Sequence, residues 1–540
     1  MSARTLDGSA TGLAKWLPMP FVALGVSMII VDATIVNVAV PTIIRDLHVT
    51  ANTAEWFNSI YSLVFAALLI TLGHTADVTG RRKLFAYGVV VFVAASLVAA
   101  TAPTGGVLIL GRLVQGIGGA MILPTTLSTV NALYTGKDRA VAFAIWGSTI
   151  GGMAAVGPLL GGWLTTDFSW RWAFLINVPI GLVVLAGILF VVPETKDAQV
   201  RKGLDWIGNL LVIAGFATLV FGLIEGEHYG WWSQAASLTL GPWTWPASWP
   251  SVVPLTFAIA VVSLFAFTFV EAARARRGKV VLVNLDLFRI RSFAAGNVAV
   301  TAVSFGEFGL LFVLPLFLQG ALGYSALDTG RLFLALAIGA FVVGGAIPQI
   351  AKRIGPRGVA RTGLVFEIAG IVGLGTMLST TVSVWVMAAW LLLYGMGVGM
   401  ATAQLTGVIL VDVPVKDSGQ ASGIQSTARQ VGSALGVAVL GSTLLTVLTT
   451  RTTSALAAVP GISKVVSDQV VQIVRSSGGT AIGSLGAMPN GTAIVSAASG
   501  AAVDAARTVA FAAAGFILLG LIATALLPRT PVAEVSGPPT

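Results

Sequence analysis

Apolar residues along this 540-residue chain gather into long runs parted by short polar turns. A helix needs about 20 apolar residues to cross the hydrocarbon core of a bilayer. Fourteen runs reach that length, at roughly 18–41, 56–75, 84–102, 107–133, 140–164, 173–193, 206–224, 251–270, 293–320, 331–350, 361–379, 384–411, 420–447 and 507–527. The pattern predicts an all-α polytopic membrane protein with 14 transmembrane helices. The longest polar interruption, 448–506, holds a weakly amphipathic segment from Ile462 to Arg475 and is otherwise rich in Gly, Ser and Ala. It is expected to form a mobile hairpin or cap. The stretch between runs seven and eight carries Trp231, Trp232, Trp243, Trp245 and Trp249. Tryptophans favour the membrane–water boundary; a ligand-binding aromatic cage is the alternative reading.

Composition agrees with this pattern. Hydrophobic residues make up 56% of the chain and charged residues only 10%, against about 25% charged in soluble proteins. That is too little polar surface to coat globular domains of this size, which excludes a soluble enzyme and a disordered scaffold. The 63 glycines spread through the apolar runs, as close helix packing in lipid favours. Cysteine is absent, so disulfides, thiol catalysis and Cys-ligated metals are excluded. His48, His74 and His228 lie far apart in sequence, which argues against a His metal site. No cofactor and no metal are expected.

The net charge of +9 is carried in the turns, with no aromatic-interleaved basic surface of the kind that binds nucleic acid. Placing both termini inside puts 22 Lys and Arg in inside segments and 7 in outside ones, the bias of the positive-inside rule. Both termini are therefore expected in the cytoplasm. The first 17 residues are short and polar, and the first run is too long for a signal-peptide core, so it is read as an uncleaved helix.

The runs divide as six, two and six. The inside turn Asp77-Val-Thr-Gly80-Arg81-Arg82-Lys83, between runs two and three, is matched by Lys352-Arg353-Ile-Gly355-Pro-Arg357 between runs ten and eleven, without the acid. Short basic turns around a glycine at the same place in each half point to internal duplication, the architecture of rocking transporters. The expected organisation is a cytoplasmic N-terminus (1–17), an N-terminal six-helix bundle (18–195) and two inserted helices with a basic linker (196–292). A C-terminal six-helix bundle (293–527, including 448–506) and a cytoplasmic tail (528–540) follow.

Charged residues inside the runs are the candidates for chemistry, because each costs about 2.5–3.5 kcal/mol to place in lipid. Asp32, in Val31-Asp32-Ala-Thr34-Ile-Val-Asn37, lies at a depth similar to that of Arg112 in Leu110-Gly-Arg112-Leu-Val-Gln115-Gly116. Desolvation favours a protonated Asp32, whereas an adjacent guanidinium favours the carboxylate. A moving pair could therefore switch proton affinity; a static polar lock between the two helices is the alternative. Glu307 stands without a cation in run nine. It is a candidate second proton site or a counter-charge for a cationic substrate, against the alternative of a neutral Glu hydrogen-bonded across helices. Asn37, Gln115, Glu307, Phe308 and Gln404 are expected to line the substrate cavity.

A conformational latch is expected at the inside turn, from Gly73, Asp77, Gly80, Arg81 and Arg82, working with the polar stripe of run thirteen that includes Arg429. Run five carries Gly147, Gly151, Gly157, Pro158, Gly161 and Gly162. Four-residue glycine spacing allows backbones to approach closely, and Pro158 kinks the helix.

Taken together, the Asp32-to-Pro41 segment, the Asp77 turn, Arg112-Gln115-Gly116, Gly157-Pro158-Gly161-Gly162, Ser169-to-Gly181 and Gln425-to-Gly432 resemble the major facilitator superfamily. They look most like its fourteen-span drug:proton antiporters. The resemblance covers nearly the whole chain and is weaker over 448–506 and the termini. It implies the major facilitator fold (6+2+6), alternating access around a central cavity, and efflux of amphipathic or cationic compounds driven by protons across the bacterial cytoplasmic membrane. Lipid-exporting relatives share these motifs, so a lipid or lysolipid exporter is the alternative. The expected partners are a small-molecule drug or lipid substrate, protons and membrane lipid, with no nucleic acid; a monomer is expected, a dimer being the alternative. A membrane enzyme is disfavoured because no Gly-x-Ser-x-Gly elbow, phosphate-binding Gly-Lys-Ser/Thr loop or metal cluster is present in the sequence.

Overall fold

The computed structural model describes residues 15–527 apart from 135, 197–202, 204, 241–242, 247 and 415–417. The predicted tail and most of the predicted N-terminus lie outside these residues. The apolar runs form helices, the tenth and eleventh within one long helix kinked at Gly355, and the helices extend past the runs at many ends. The first five are α1 (Met19–Asp46), α2 (Ala51–Thr79), α3 (Arg81–Ala100), α4 (Gly105–Leu133) and α5 (Gly136–Asp167). The sixth run is broken into α6 (Trp172–Leu175) and α7 (Asn177–Phe190). Then come α8 (Trp206–Tyr229), α9 (Val252–Arg276), α10 (Arg291–Gly320), α11 (Ala326–Met377), α12 (Val384–Leu410), α13 (Ser418–Ala457), α14 (Lys464–Ser476) and α15 (Gly491–Ala523). Among the described residues, 13 helices are long and apolar enough to span a membrane. The predicted fifth run falls on α5, a 32-residue helix.

Local chemistry sets the boundaries. Thr50, Thr104, Asp205 and Ser325 each accept a backbone N–H at the start of α2, α4, α8 and α11, satisfying donors that a helix N-terminus leaves free. The two basic turns are built alike: Gly80 (φ 126°) separates α2 from α3, and Gly355 (φ 72°) interrupts α11. Both lie at positive φ, which glycine adopts without a Cβ clash.

The segment 448–506 is helix for much of its length, more regular than the mobile hairpin or cap expected there. α13 runs on to Ala457 and α15 begins at Gly491, because the Ala-rich sequence beyond the apolar runs still favours helix. Between them, α14 buries Val470 and Val474 and packs on α13 and α2. The tryptophan loop holds the one exception to an all-helical chain among the described residues, a two-residue antiparallel hairpin, β1 (Thr239–Leu240) and β2 (Trp243–Thr244). Trp243, Trp245 and Trp249 stack edge to face there.

α1 packs on α5, α2 on α4 and α13, α3 on α4, α10 on α13 and α15, and α5 on α11. The end that carries the tryptophan loop and α14 is called the outer end below, after the predicted orientation. It is closed. Gln319 Nε2 donates to Val38 O (2.9 Å) and Leu327 N–H to Thr166 Oγ1 (2.9 Å). α8 and α9 pair with each other, and α8 lies against α2 and α13. Asn52 Nδ2 donates to Ile224 O (3.2 Å), Trp56 Nε1 to Glu225 (2.9 Å), Ser442 Oγ to Leu223 O (2.9 Å) and Thr71 Oγ1 to Asn209 (2.8 Å).

Candidate functional site

Two polar clusters occupy the interior of the helix bundle. In the first, the depth match between Asp32 and Arg112 becomes contact. Arg112 Nη1 donates to Asp32 Oδ2, and both side chains are fully buried. Asp32 Oδ1 accepts from Gln115 Nε2 (2.9 Å) and from Asn177 Nδ2 (2.8 Å). Gln115 also accepts from Arg112 Nη1 (2.9 Å) and donates to Ser96 Oγ (2.8 Å). The break between α6 and α7 sits beside Asn177, the residue that reaches Asp32. Arg112 Nε donates to Phe57 O (2.9 Å), and the guanidinium lies 4.2 Å from the Tyr61 ring centroid, where ring quadrupole and cation attract. One guanidinium and two amide donors thus engage both Asp32 oxygens in charge-assisted contacts.

The substrate-lining residues separate. Asn37 is buried, its Oδ1 accepting from Asn58 (2.8 Å), and Gln115 is committed to the Asp32 network. Phe308 is half-buried against the core.

The second cluster centres on Glu307, buried on α10. Its cation comes from another helix: Arg429 Nη2 of α13 lies 4.0 Å from Glu307 Oε2. Glu307 Oε1 has no hydrogen-bond partner among the described residues. The two face a cavity of about 10 Å³ with Val300, Val303, Ser304, Thr402, Leu405 and Thr406, room for about one water. Gln404, expected to line the substrate cavity, is half-buried on α12 and is not part of this small one. Residues 402, 405 and 406 share a helix face that 404 does not. Glu367 of α11 and Tyr394 of α12, not singled out from sequence, are buried in the same region.

Arg429 therefore stands apart from the Asp77 turn with which it was grouped. It is eleven residues into α13, about 16 Å from that helix's start. The Asp77 side chain lies outside the described residues. Gly73 packs on Pro124 of α4. The α3 N-terminus is capped within its own half, by Glu194: its Oε1 accepts from Arg82 N–H (3.1 Å), while Thr195 O accepts from Arg81 N–H (3.1 Å). An acid beside these free N–H groups complements the helix dipole; Glu194 follows the sixth run and carried no sequence signal of that role.

Run five makes close contacts on two sides. An added Cβ at Gly157 would strike Thr34, and one at Gly161 would lie 2.6 Å from Ile35 O, both on α1. At Gly162 it would lie 2.5 Å from Ala326 O on α11, and Pro158 O faces Gly330 of the same helix. The packing of Gly147 and Gly151 lies outside the described residues.

Comparison with known proteins places this architecture. The multidrug resistance protein Stp of Mycobacterium tuberculosis is 33% identical over 422 residues, covering 78% of this chain and 74% of that protein. The multidrug efflux pump LfrA of Mycolicibacterium smegmatis is 30% identical over 439 residues, 81% and 82% of the two chains. The tetracenomycin C resistance and export protein of Streptomyces glaucescens is 31% identical over 435 residues, 80% and 77%. Among solved structures, a bacterial homolog of the human lysosomal transporter Spinster, inward-facing and unoccupied, superposes with a TM-score of 0.60 at 16% identity, covering 96% of this chain and all of that one. The sequence profile of the Major Facilitator Superfamily matches residues 22–437, and the chain belongs to that superfamily of multi-pass membrane transporters.

Proposed function

We propose that the protein exports amphipathic or cationic small molecules across the bacterial cytoplasmic membrane in exchange for protons. It works by alternating access between six-helix bundles at 18–195 and 293–527. The relatives named for multidrug resistance and antibiotic export support the substrate class; they lend nothing to the lipid-export alternative. Proton coupling rests chiefly on Glu307, a buried acid with one oxygen facing Arg429 and the other unpartnered, beside a water-sized cavity. Such a group can hold a proton in one state and an ion pair in another. In this reading the Asp32–Arg112 pair opens and closes as the bundles rock, Asn37, Gln115, Phe308 and Gln404 meet substrate when the cavity opens, and the Gly73–Arg82 turn biases the closed states.

Exchange of one proton for a neutral solute gains about 2.3 kcal/mol per 100 mV and about 1.36 kcal/mol per pH unit, enough for several-hundred-fold accumulation. Glu307→Gln should reduce pH-gradient-driven ethidium uptake into inverted vesicles at least tenfold and leave gradient-free ethidium counterflow within twofold of the native rate. Equal gradient-driven uptake by the two proteins would remove Glu307 from the coupling.

A further inference from the structure

Glu367 lies on α11 in the second polar cluster. It is fully buried, and neither carboxyl oxygen has a hydrogen-bond partner among the described residues. It packs on Gly397 of α12, where an added Cβ would lie 2.7 Å from Glu367 Cγ. Tyr394, nearly one turn earlier on α12, is 1% exposed with its hydroxyl likewise unpartnered, in the field of both Glu307 and Glu367. Counted at 1.5 Å per residue, Glu307 lies about 20 Å from the outer end of its helix, and Glu367 and Tyr394 about 15 Å from theirs. All three are deep within the apolar slab.

Charge arithmetic narrows the protonation states. An ionised carboxylate with no donor in lipid is prohibitively costly, so Glu367 carries its proton in this conformation. The groups whose charge is felt at Glu367 are Glu307 from α10 and Arg429 from α13, and Tyr394 from α12 feels Glu367 in turn. α1, α5 and α15 also pack on α11, but their described charges are engaged or sited elsewhere. Asp32 is bound by Arg112, Arg45 donates to Thr42, Asp46 accepts from Arg171, Asp138 pairs with Lys15, Asp167 is at the outer tip of α5, Arg507 donates to Leu378 O, and Asp504 is 3.8 Å from Arg451. One guanidinium thus serves two acids, and the cluster is neutral only when one of them is protonated.

We propose that Glu367 is a second proton-carrying residue of the transport cycle, sharing one proton with Glu307 while Arg429 pairs with whichever acid is ionised. The step is a net transfer from the Glu367 carboxyl O–H to the Glu307 carboxylate, and it requires a rearrangement, because the Glu367 oxygens, Glu307 Oε1 and the Tyr394 hydroxyl have no hydrogen-bond partner among the described residues. The O–H bond on Glu367 breaks, one forms on Glu307, and the negative charge moves to Glu367, where Arg429 follows. No other reactant is needed. The inference rests on the proton-antiport reading and extends it.

The test is proton release by the purified full-length protein in weakly buffered detergent on adding ethidium, across a pH series, alongside counterflow in proteoliposomes. Native protein should release protons with a marked pH dependence. Glu367→Gln should release half as many or fewer and flatten that dependence, keep counterflow within twofold, and regain release in Glu367→Asp. Release from Glu367→Gln equal to native over the same pH range overturns the assignment to Glu367 alone. A native protein that neither releases protons nor shows counterflow overturns the antiport reading, and this inference with it. If Glu367→Gln does not fold, infrared difference spectra of native and Glu307→Gln protein, with and without ethidium, read the same proton. Loss of neutral-acid C=O intensity on ethidium binding in native protein but not in Glu307→Gln, where Arg429 and Glu367 are neutral together without a shared proton, supports the proposal; an unchanged native band, or the same loss in Glu307→Gln, overturns it.

Discussion

Asp32→Asn should end pH-gradient-driven ethidium transport and destabilise the protein by about 3–5 kcal/mol, because it leaves Arg112 buried without its counter-charge. The two effects can be parted. Adding Arg112→Gln removes the stranded cation, and the double variant should recover most of the thermal midpoint in detergent. If Asp32 carries a proton, the double variant stays inactive in gradient-driven uptake despite that recovery. If it regains transport together with stability, the pair is a structural lock between α1 and α4 and Asp32 leaves the mechanism. The saturation of both Asp32 oxygens by Arg112, Gln115 and Asn177 makes this the decisive comparison.

Gly162→Leu should have an effect of similar size by a different route. Even a Cβ at 162 meets Ala326 O at 2.5 Å, at the contact between α5 and α11 that closes the outer end. Overpacking costs about 1–3 kcal/mol, and a bias of that size shifts a two-state equilibrium by about 5- to 150-fold. The variant should favour the outer-open state and transport poorly. The native chain has no cysteine, so a single Cys at Thr166 or Asn37 reports the change directly. Its labelling by a membrane-impermeant maleimide should quicken with Gly162→Leu. Equal labelling rates in the two backgrounds would count against closure at this contact. Gly161→Leu, which meets α1 instead, should lower folding yield without the same change in labelling.

The residues explain how far the sequence could be read. Spans were legible because lipid demands long apolar helices, and the Asp32–Arg112 contact followed from matched depth along two helices. Depth, however, carries no information about which way a helix faces its neighbours. Glu307 therefore seemed to lack a cation until α13 brought Arg429 to it, and nothing in the sequence showed that Gln404 lies on the face of α12 away from the small cavity at Glu307. Glu367 escaped notice because one acid in a Gly-rich run has no spacing signature; its burial beside Gly397 is a property of two packed helices. The amphipathic stretch from Ile462 to Arg475 coincides with α14, but the extensions of α13 and α15 into 448–506 were missed because membrane hydropathy says nothing about helix that continues beyond the apolar run.

The α8–α9 hairpin has a consequence for how solutes reach the interior from the lipid. Its bonds to Asn52, Trp56, Thr71 and Ser442 staple a third helix across the groove where α2 meets α13. Parting those two helices sideways would mean breaking either the three bonds from α8 to α2 or the one to Ser442 of α13, with no water in the apolar medium to replace them. The α5–α11 contact on the opposite flank rests on close glycine surfaces and the single bond from Leu327 N–H to Thr166. A compound dissolved in the membrane thus finds the molecule lopsided, with one flank bolted and the other hinged.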